Sequence, residues 1–181
     1  MATIFRPPSI LDKQRLQTGP SLGLFGSIEM DTAVKWQDFC EKRLEPHDID
    51  IYNPRRNDWN STWKQDIENA EFKGQVTWEL TVLENTNVKL FYFDPSTKSP
   101  VTLMELGLAK IDSDVVVCCP PGFWRKGNVD IVCERYGIRQ EPTLEDALFD
   151  CVSRLRMYHN LIGGPYKYED DRSVEPAIEE L

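Results

Sequence analysis

No apolar run in this 181-residue chain approaches the roughly 18 residues that a membrane span requires, so no membrane partner is expected. The first residues, Met1-Ala2-Thr3-Ile4-Phe5-Arg6-Pro7-Pro8, carry neither a basic start nor an apolar stretch. That argues against a secretory leader and for a cytoplasmic location. The cysteines lack the paired short spacings of zinc sites: Cys40, Cys118, Cys119, Cys133 and Cys151 are five, an odd number. Cys118 and Cys119 sit inside an apolar run, where free cysteine packs as a small hydrophobe, and a reducing compartment suits the whole set. Neither a metal nor another cofactor is expected. Excess positive charge is missing as well. A net charge of −9 gives no long-range attraction to a phosphate backbone, which makes nucleic-acid polymers poor partners. Internal repeats and dividing linkers are also absent. The length suits one compact domain, which buries about two thirds of its unfolded surface and needs no disulfide or metal for stability.

What is present is an alternation of strand-like and helix-like segments. Residues 1–18, polar with paired prolines, are expected to form an N-terminal arm lying on the body, residues 19–162 the domain, and residues 163–181 a solvated acidic tail. Within the domain the apolar run Ser21–Ile28 reads as the first strand. A helical pattern follows, with Thr32 as its cap and Ala33, Trp36, Phe39 and Cys40 at helical spacing. A short strand at 47–52 is broken by Asn53-Pro54, and residues 54–66 read as a long loop with a turn of helix. A helix from about Glu71 to Glu84 sets Phe72, Val76, Leu80 and Leu83 on one face. Strand 88–93, helix 100–111, strand 115–119, helix 129–136, a short strand near Gly137-Ile138 and a helix from Thr143 to about Asn160 complete the series. Five alternations of near-continuous apolar strands with helices predict a five-stranded parallel sheet covered on both faces. Ligands of such sheets bind beyond the carboxyl ends of the strands.

Three strand ends therefore matter: Gly26-Ser27, Asn53-Pro54-Arg55-Arg56 and Asp94-Pro95. After the third, Ser99 is a natural N-cap and Pro100 a natural first helical residue. From 103 to 109 every position except Glu105 is apolar or glycine, which predicts a buried helix carrying one carboxylate near its start. Burying that group costs several kcal/mol unless something compensates. Glu105 either reaches solvent, pairs with an arginine, or serves as a nucleophile or base beside a ligand. Glu79, one turn beyond Gln75 on the preceding helix, is the second acid; taken alone it reads as a surface residue. Two carboxylates at one cleft can divide labour, one attacking carbon and the other handling the leaving group's proton.

Leu24-Phe25-Gly26-Ser27-Ile28 at the first strand, Trp78-Glu79-Leu80, and Glu105-Leu106-Gly107 after a strand and loop form an ordered set. With these, residues 20–140 or so resemble the nucleoside 2-deoxyribosyltransferase family. The resemblance implies a flavodoxin-like (Rossmann-like) sheet and a homodimer or higher homo-oligomer with shared active sites. It also implies that Glu105 is the glutamate nucleophile, which attacks C1′, expels the base and leaves a glycosyl-enzyme ester. A second base or water resolves that ester, with ping-pong kinetics. Glu79 falls where the family usually has an aspartate contacting the base, one methylene shorter. Phe25, Gly26 and Ser27 would line the substrate. Ser99 matches a position of aspartate in transferases and serine in 5′-monophosphate hydrolases, and would meet the sugar's 5′ end. Asn128 resembles the asparagine reaching into a neighbour's site, although it reads equally as a turn residue.

One departure bears on the substrate. The monophosphate hydrolases follow the Gly-Ser-Ile run with arginine, whereas here Glu29 follows Ile28 and repels phosphate. Arg55, Arg56 or Arg125 would have to supply the missing charge, and Ser99 leans towards the hydrolases. An unphosphorylated nucleoside is favoured. Tryptophans 59 and 63 serve either as stacking partners for the base or as core packing. Two rivals stand beside a nucleoside transferase or hydrolase. One is a glycosidase of nucleoside monophosphates or a nicotinamide dinucleotide, the other a nucleotide-binding module without catalysis.

Overall fold

The structure, a computed structural model, describes residues 1–28, 33–56, 58, 60, 62–109 and 114–162, with only the backbone of 159–162. The expected cap Thr32, Glu29, Trp59 and the acidic tail lie outside the described residues. The strands are β1 Thr3–Phe5, β2 Ser21–Gly26, β3 Asp50–Tyr52, β4 Val88–Tyr92, β5 Asp114–Cys118 and β6 Arg139–Glu141. The helices are α1 Lys13–Thr18, α2 Trp36–Leu44, α3 Ala70–Asn85, α4 Pro100–Leu108, α5 Lys126–Tyr136 and α6 Leu144–Ile162.

All six strands run parallel in one sheet, in the order β1-β3-β2-β4-β5-β6. The fold is an α/β, flavodoxin-like parallel sheet with helices on both faces, of six strands rather than the expected five. The extra strand is β1, which pairs Thr3–Phe5 with Asp50–Tyr52 at the sheet edge. Three residues ahead of a proline pair are too few to show a period, and their pairing is set by the neighbouring strand. The last strand begins at Arg139 rather than Gly137, because Gly137 ends α5 in a left-handed conformation (φ 65°) that glycine adopts without strain.

The central strands are buried on both sides, and their even and odd residues feed two cores. Leu22, Leu24, Leu90 and Val116 pack with Trp36 and Cys40 of α2 and with Leu148 and Leu155 of α6. Phe25, Phe91 and Val117 pack with Trp78 and Val82 of α3, Leu106 of α4 and Val129 of α5. Chain order changes direction between β2 and β4, whose ends register Gly26 against Tyr92. That is the crevice where an open α/β sheet takes its ligand.

Two helix faces differ from the expected ones. On α3 the buried residues are Gln75, Trp78, Val82 and Leu83, while Phe72, Val76 and Leu80 are half-buried. The Trp78 indole donates to the Ser9 carbonyl and Gln75 to the Pro54 carbonyl, so hydrogen-bonded side chains hold inward positions that hydrophobicity alone gives to others. On α4 only Thr102, Glu105 and Leu106 are buried, while Val101, Met104 and Leu108 are more than half exposed (54%, 57% and 56%). The helix is apolar all round yet covered on one side. Among the described residues no helix is long and apolar enough to cross a membrane.

Candidate active site

The end of β2 is held from both faces of the sheet. Gly26 allows a close approach: a Cβ there would lie 2.5 Å from the Tyr92 carbonyl oxygen and 2.6 Å from Trp36 Cζ2. With the indole in that space, its Nε1–H donates to the Ser27 carbonyl at 2.9 Å. Ser27 itself has no exposed surface. Its Oγ accepts the Asp94 N–H at 2.9 Å, which ties the exits of β2 and β4 together.

Ser27 Oγ is also 2.5 Å from Ser99 Oγ, and Thr97 Oγ1 is 2.8 Å from the first and 2.7 Å from the second. The three hydroxyls form a closed triangle. Thr97 Oγ1 further reaches the Asp94 carbonyl at 2.9 Å, a group that can only accept. If the Thr97 proton goes there, the Ser27 and Ser99 protons remain for three hydroxyl contacts and any ligand. Ser99 occupies the N-cap position of α4, as expected, but its side chain makes no capping bond. Its backbone is left-handed (φ 46°), an unusual conformation for serine, and the hydroxyl joins Ser27 and Thr97 instead. Asp94 is also buried. Burial pushes its carboxyl up, but the Ser96 hydroxyl and N–H together with the Val34 N–H outweigh that and hold it below the ordinary value.

The two glutamates come from adjacent helices on one face of the sheet. Glu105, near the middle of α4, is 7% exposed. Burial first, and then the charge of Glu79, push its carboxyl up to about 8. Glu79 is likewise raised by burial, to about 7, with the Gln75 side chain pulling the other way. Gln75 Nε2 donates at 2.8 Å to Glu79 Oε1 and at 3.0 Å to the Pro54 carbonyl beyond β3. Burial thus lets both carboxyls hold their protons to higher pH than an exposed glutamate, and two like charges in a dry setting resist joint ionisation.

In the loop after β3 Arg55 is buried, with its backbone N–H on Asn53 Oδ1 (2.8 Å) and its guanidinium on Gln37 Oε1 (3.2 Å). Arg56 stacks on Trp63 at 4.9 Å and pairs with Asp58. On the rim Trp124 donates to the Lys98 carbonyl, with Arg125 4.2 Å and Lys98 Nζ 5.3 Å from its ring centroid. The five cysteines are buried, and burial raises their thiols, Cys119 to about 11. Among the described residues no cluster of His, Cys, Asp and Glu could hold a metal ion.

The predicted site residues therefore divide. Ser27 and Ser99 touch, and the charge of Glu79 is felt at Glu105. Phe25 is inside the core, stacked on Phe91 at 5.1 Å. Asn128 stands apart, exposed on the first turn of α5. The sequence reading missed Thr97 and Gln75 as parts of the site. Asp94-Pro95-Ser96-Thr97 carries the signal of an Asx turn, which would have brought Thr97 back towards β2. No curated protein sequence matches the chain. The family described as nucleoside 2-deoxyribosyltransferase like matches residues 20–123.

Proposed function

The chain belongs to the nucleoside 2-deoxyribosyltransferase-like family, and from that premise we propose that it cleaves or exchanges the N-glycosidic bond of (deoxy)nucleosides through a glycosyl-glutamate intermediate. The observation that carries this reading is the pair Glu105 and Glu79, two raised carboxyls from adjacent helices at the carboxyl ends of the strands. One proton between them suits a reaction that needs one nucleophile and one acid.

In the first half-reaction a Glu105 carboxylate oxygen bonds to C1′ and the bond from C1′ to the base nitrogen breaks. The electron pair leaves on that nitrogen, which takes the proton from Glu79. In the second, water or an incoming base attacks C1′, the ester bond breaks, and Glu105 recovers its carboxylate while Glu79 recovers a proton. The Ser99 hydroxyl receives the sugar's 5′ end with the buried Ser27 holding it in place from behind, Phe25 and Gly26 shape the strand beneath it, and Asn128 reaches from a second copy. The exposed apolar face of α4 supports that assembly. Val101 and Leu108, four residues before and three after Glu105, flank it on neighbouring turns with Met104 beside them, so a second copy covering them would stand next to the nucleophile.

An unphosphorylated 5′ end is the preferred substrate, because the buried Asp94 keeps its negative charge beside the hydroxyl triangle. Buried Arg55 is the observation that favours the second reading, a nucleoside 5′-monophosphate. Incubation with deoxynucleosides, with and without a second free base, distinguishes the activities. An exchanged nucleoside identifies a transferase and free base alone a hydrolase, while preference for the monophosphate selects the second reading. Absence of product from every nucleoside and nucleotide overturns both. A sugar adduct on Glu105 after trapping with a 2-fluorinated nucleoside, read by mass spectrometry, tests the nucleophile.

A further inference from the structure

Gln75 is 5% exposed, yet its two amide ends fare differently. Nε2 has two acceptors, the Pro54 carbonyl at 3.0 Å and Glu79 Oε1 at 2.8 Å. Oε1 is buried without a partner among the described residues. Rotating the amide by half a turn would point Oε1 at two oxygens, one of them a carbonyl that can never donate, so the orientation is fixed by its partners. A buried amide that donates twice while its own oxygen stays unsatisfied runs against the usual pairing of buried polar groups. What it secures is the Glu79 carboxylate, held against the exit of β3 one helical turn away.

We propose that Gln75 is a positioning residue that keeps Glu79 as the ionised member of the carboxylate pair in the empty site, leaving the shared proton on Glu105. The inference rests on the glycosyl-transfer reading for its consequence, but its geometry stands without it. A donated N–H favours the charged form of the acceptor. No such donor to Glu105 is found among the described residues. The other groups around Glu79 do not change this balance. From α4 it faces Glu105, and in the loop after β3 Arg55 is on Gln37 and Arg56 on Asp58. The resting nucleophile is then neutral and inert, and arming it means moving one proton from Glu105 to Glu79.

The test is a carbon-13 titration of glutamate side-chain carboxyls in the full chain, with Glu79→Gln and Glu105→Gln assigning the two signals. In the native protein Glu79 is expected to ionise first. In Gln75→Met, which keeps length and loses both hydrogen bonds, its midpoint is expected to rise by roughly one pH unit, the scale of one hydrogen bond to a carboxylate. The pH profile of kcat/KM then moves to higher pH on both limbs. An unmoved Glu79 midpoint in Gln75→Met, or Glu105 ionising first in the native protein, overturns the proposal. Should Gln75→Met fail to fold, Gln75→Asn serves, being too short to reach Glu79 while still polar. In the Glu79→Gln background Gln75→Met should leave the Glu105 midpoint where it is, and a shift there overturns the proposal too. The titration needs no turnover. A protein that shows the shift but converts no nucleoside keeps Gln75's role and loses the glycosyl-transfer reading; conversion without the shift does the reverse.

Discussion

The side-chain hydroxyls of Ser27 and Ser99 stand 2.5 Å apart across 72 residues of sequence. Ser27 is also the acceptor for the Asp94 N–H, so one oxygen fastens the exit of β2, the exit of β4 and the entrance of α4. Ser27→Ala strands that N–H and loosens Ser99. The expected loss of stability is about 1–3 kcal/mol, the cost of an unsatisfied buried group, measured by denaturant unfolding. With a deoxynucleoside the KM should rise, while a 5′-deoxy analogue, having no hydroxyl to place, should bind as it does to the native protein. Equal losses for both would remove the 5′-end role.

Glu105→Gln is expected to lower kcat on the order of 10⁴-fold or more, the scale seen when a catalytic group acting as one of a unit is lost. Steady-state assay with a saturating deoxynucleoside checks it, provided circular dichroism confirms the native fold. Retention of more than a tenth of the activity would take the nucleophile elsewhere.

The same substitution should stabilise the fold, in a manner that depends on pH. Glu105 is raised from its ordinary value of 4.5 to about 8, so the folded state prefers it protonated. Its contribution is fully present below about pH 4.5 and is lost as pH rises through about 8, with a slope of about 1.4 kcal/mol per pH unit between the two. Glutamine has no such loss. The melting temperature of Glu105→Gln should match the native protein near pH 4 and exceed it increasingly towards pH 8.5. A constant difference across that range would mean that the carboxyl is not raised.

Glu79→Gln removes the charge that helps lift Glu105, so the remaining carboxyl should ionise at lower pH. Loss of the acid should cost roughly 10²–10⁴-fold in kcat/KM. The deficit should be largest for bases that leave poorly without protonation and small for activated ones. A uniform deficit across leaving groups would make Glu79 a binding residue only.

Met104 is 57% exposed in the middle of the uncovered face of α4. Met104→Glu is expected to turn an oligomer into monomers in sedimentation velocity runs and, with shared sites, to lower activity in parallel. A native protein that already sediments as a monomer at assay concentrations would refute both effects.

Glu105 was legible in the sequence because it is a local anomaly, a carboxylate in an apolar helix, whereas Glu79 by itself read as a surface residue and stood out only as a second acid on the preceding helix and through the resemblance. The strand ends were legible for the same reason, as apolar runs stopping at Gly-Ser, Asn-Pro and Asp-Pro. What was not legible depends on partners remote in the chain. Gln75 meets Pro54 across 21 residues and Trp78 meets Ser9 across 69, and together these contacts rotate the buried face of α3 away from its most apolar stripe. Ser99 looked like a cap because serine before proline usually is one. Its left-handed backbone turns the hydroxyl to Ser27, a bond that only the juxtaposition of β2 and β4 creates. Strand β1 is three residues long and carries no period at all.

Trp36 gives the cleft a foundation on the far side of the sheet. It belongs to α2, across the sheet from α3 and α4, yet its ring fills the space that Gly26 leaves open and its indole grips the Ser27 carbonyl. A change in α2 is therefore felt from beneath at the exit of β2, through Gly26 and the Ser27 carbonyl. On the proposed reading, preference for one nucleoside over another can then be set in the layer that faces away from the ligand.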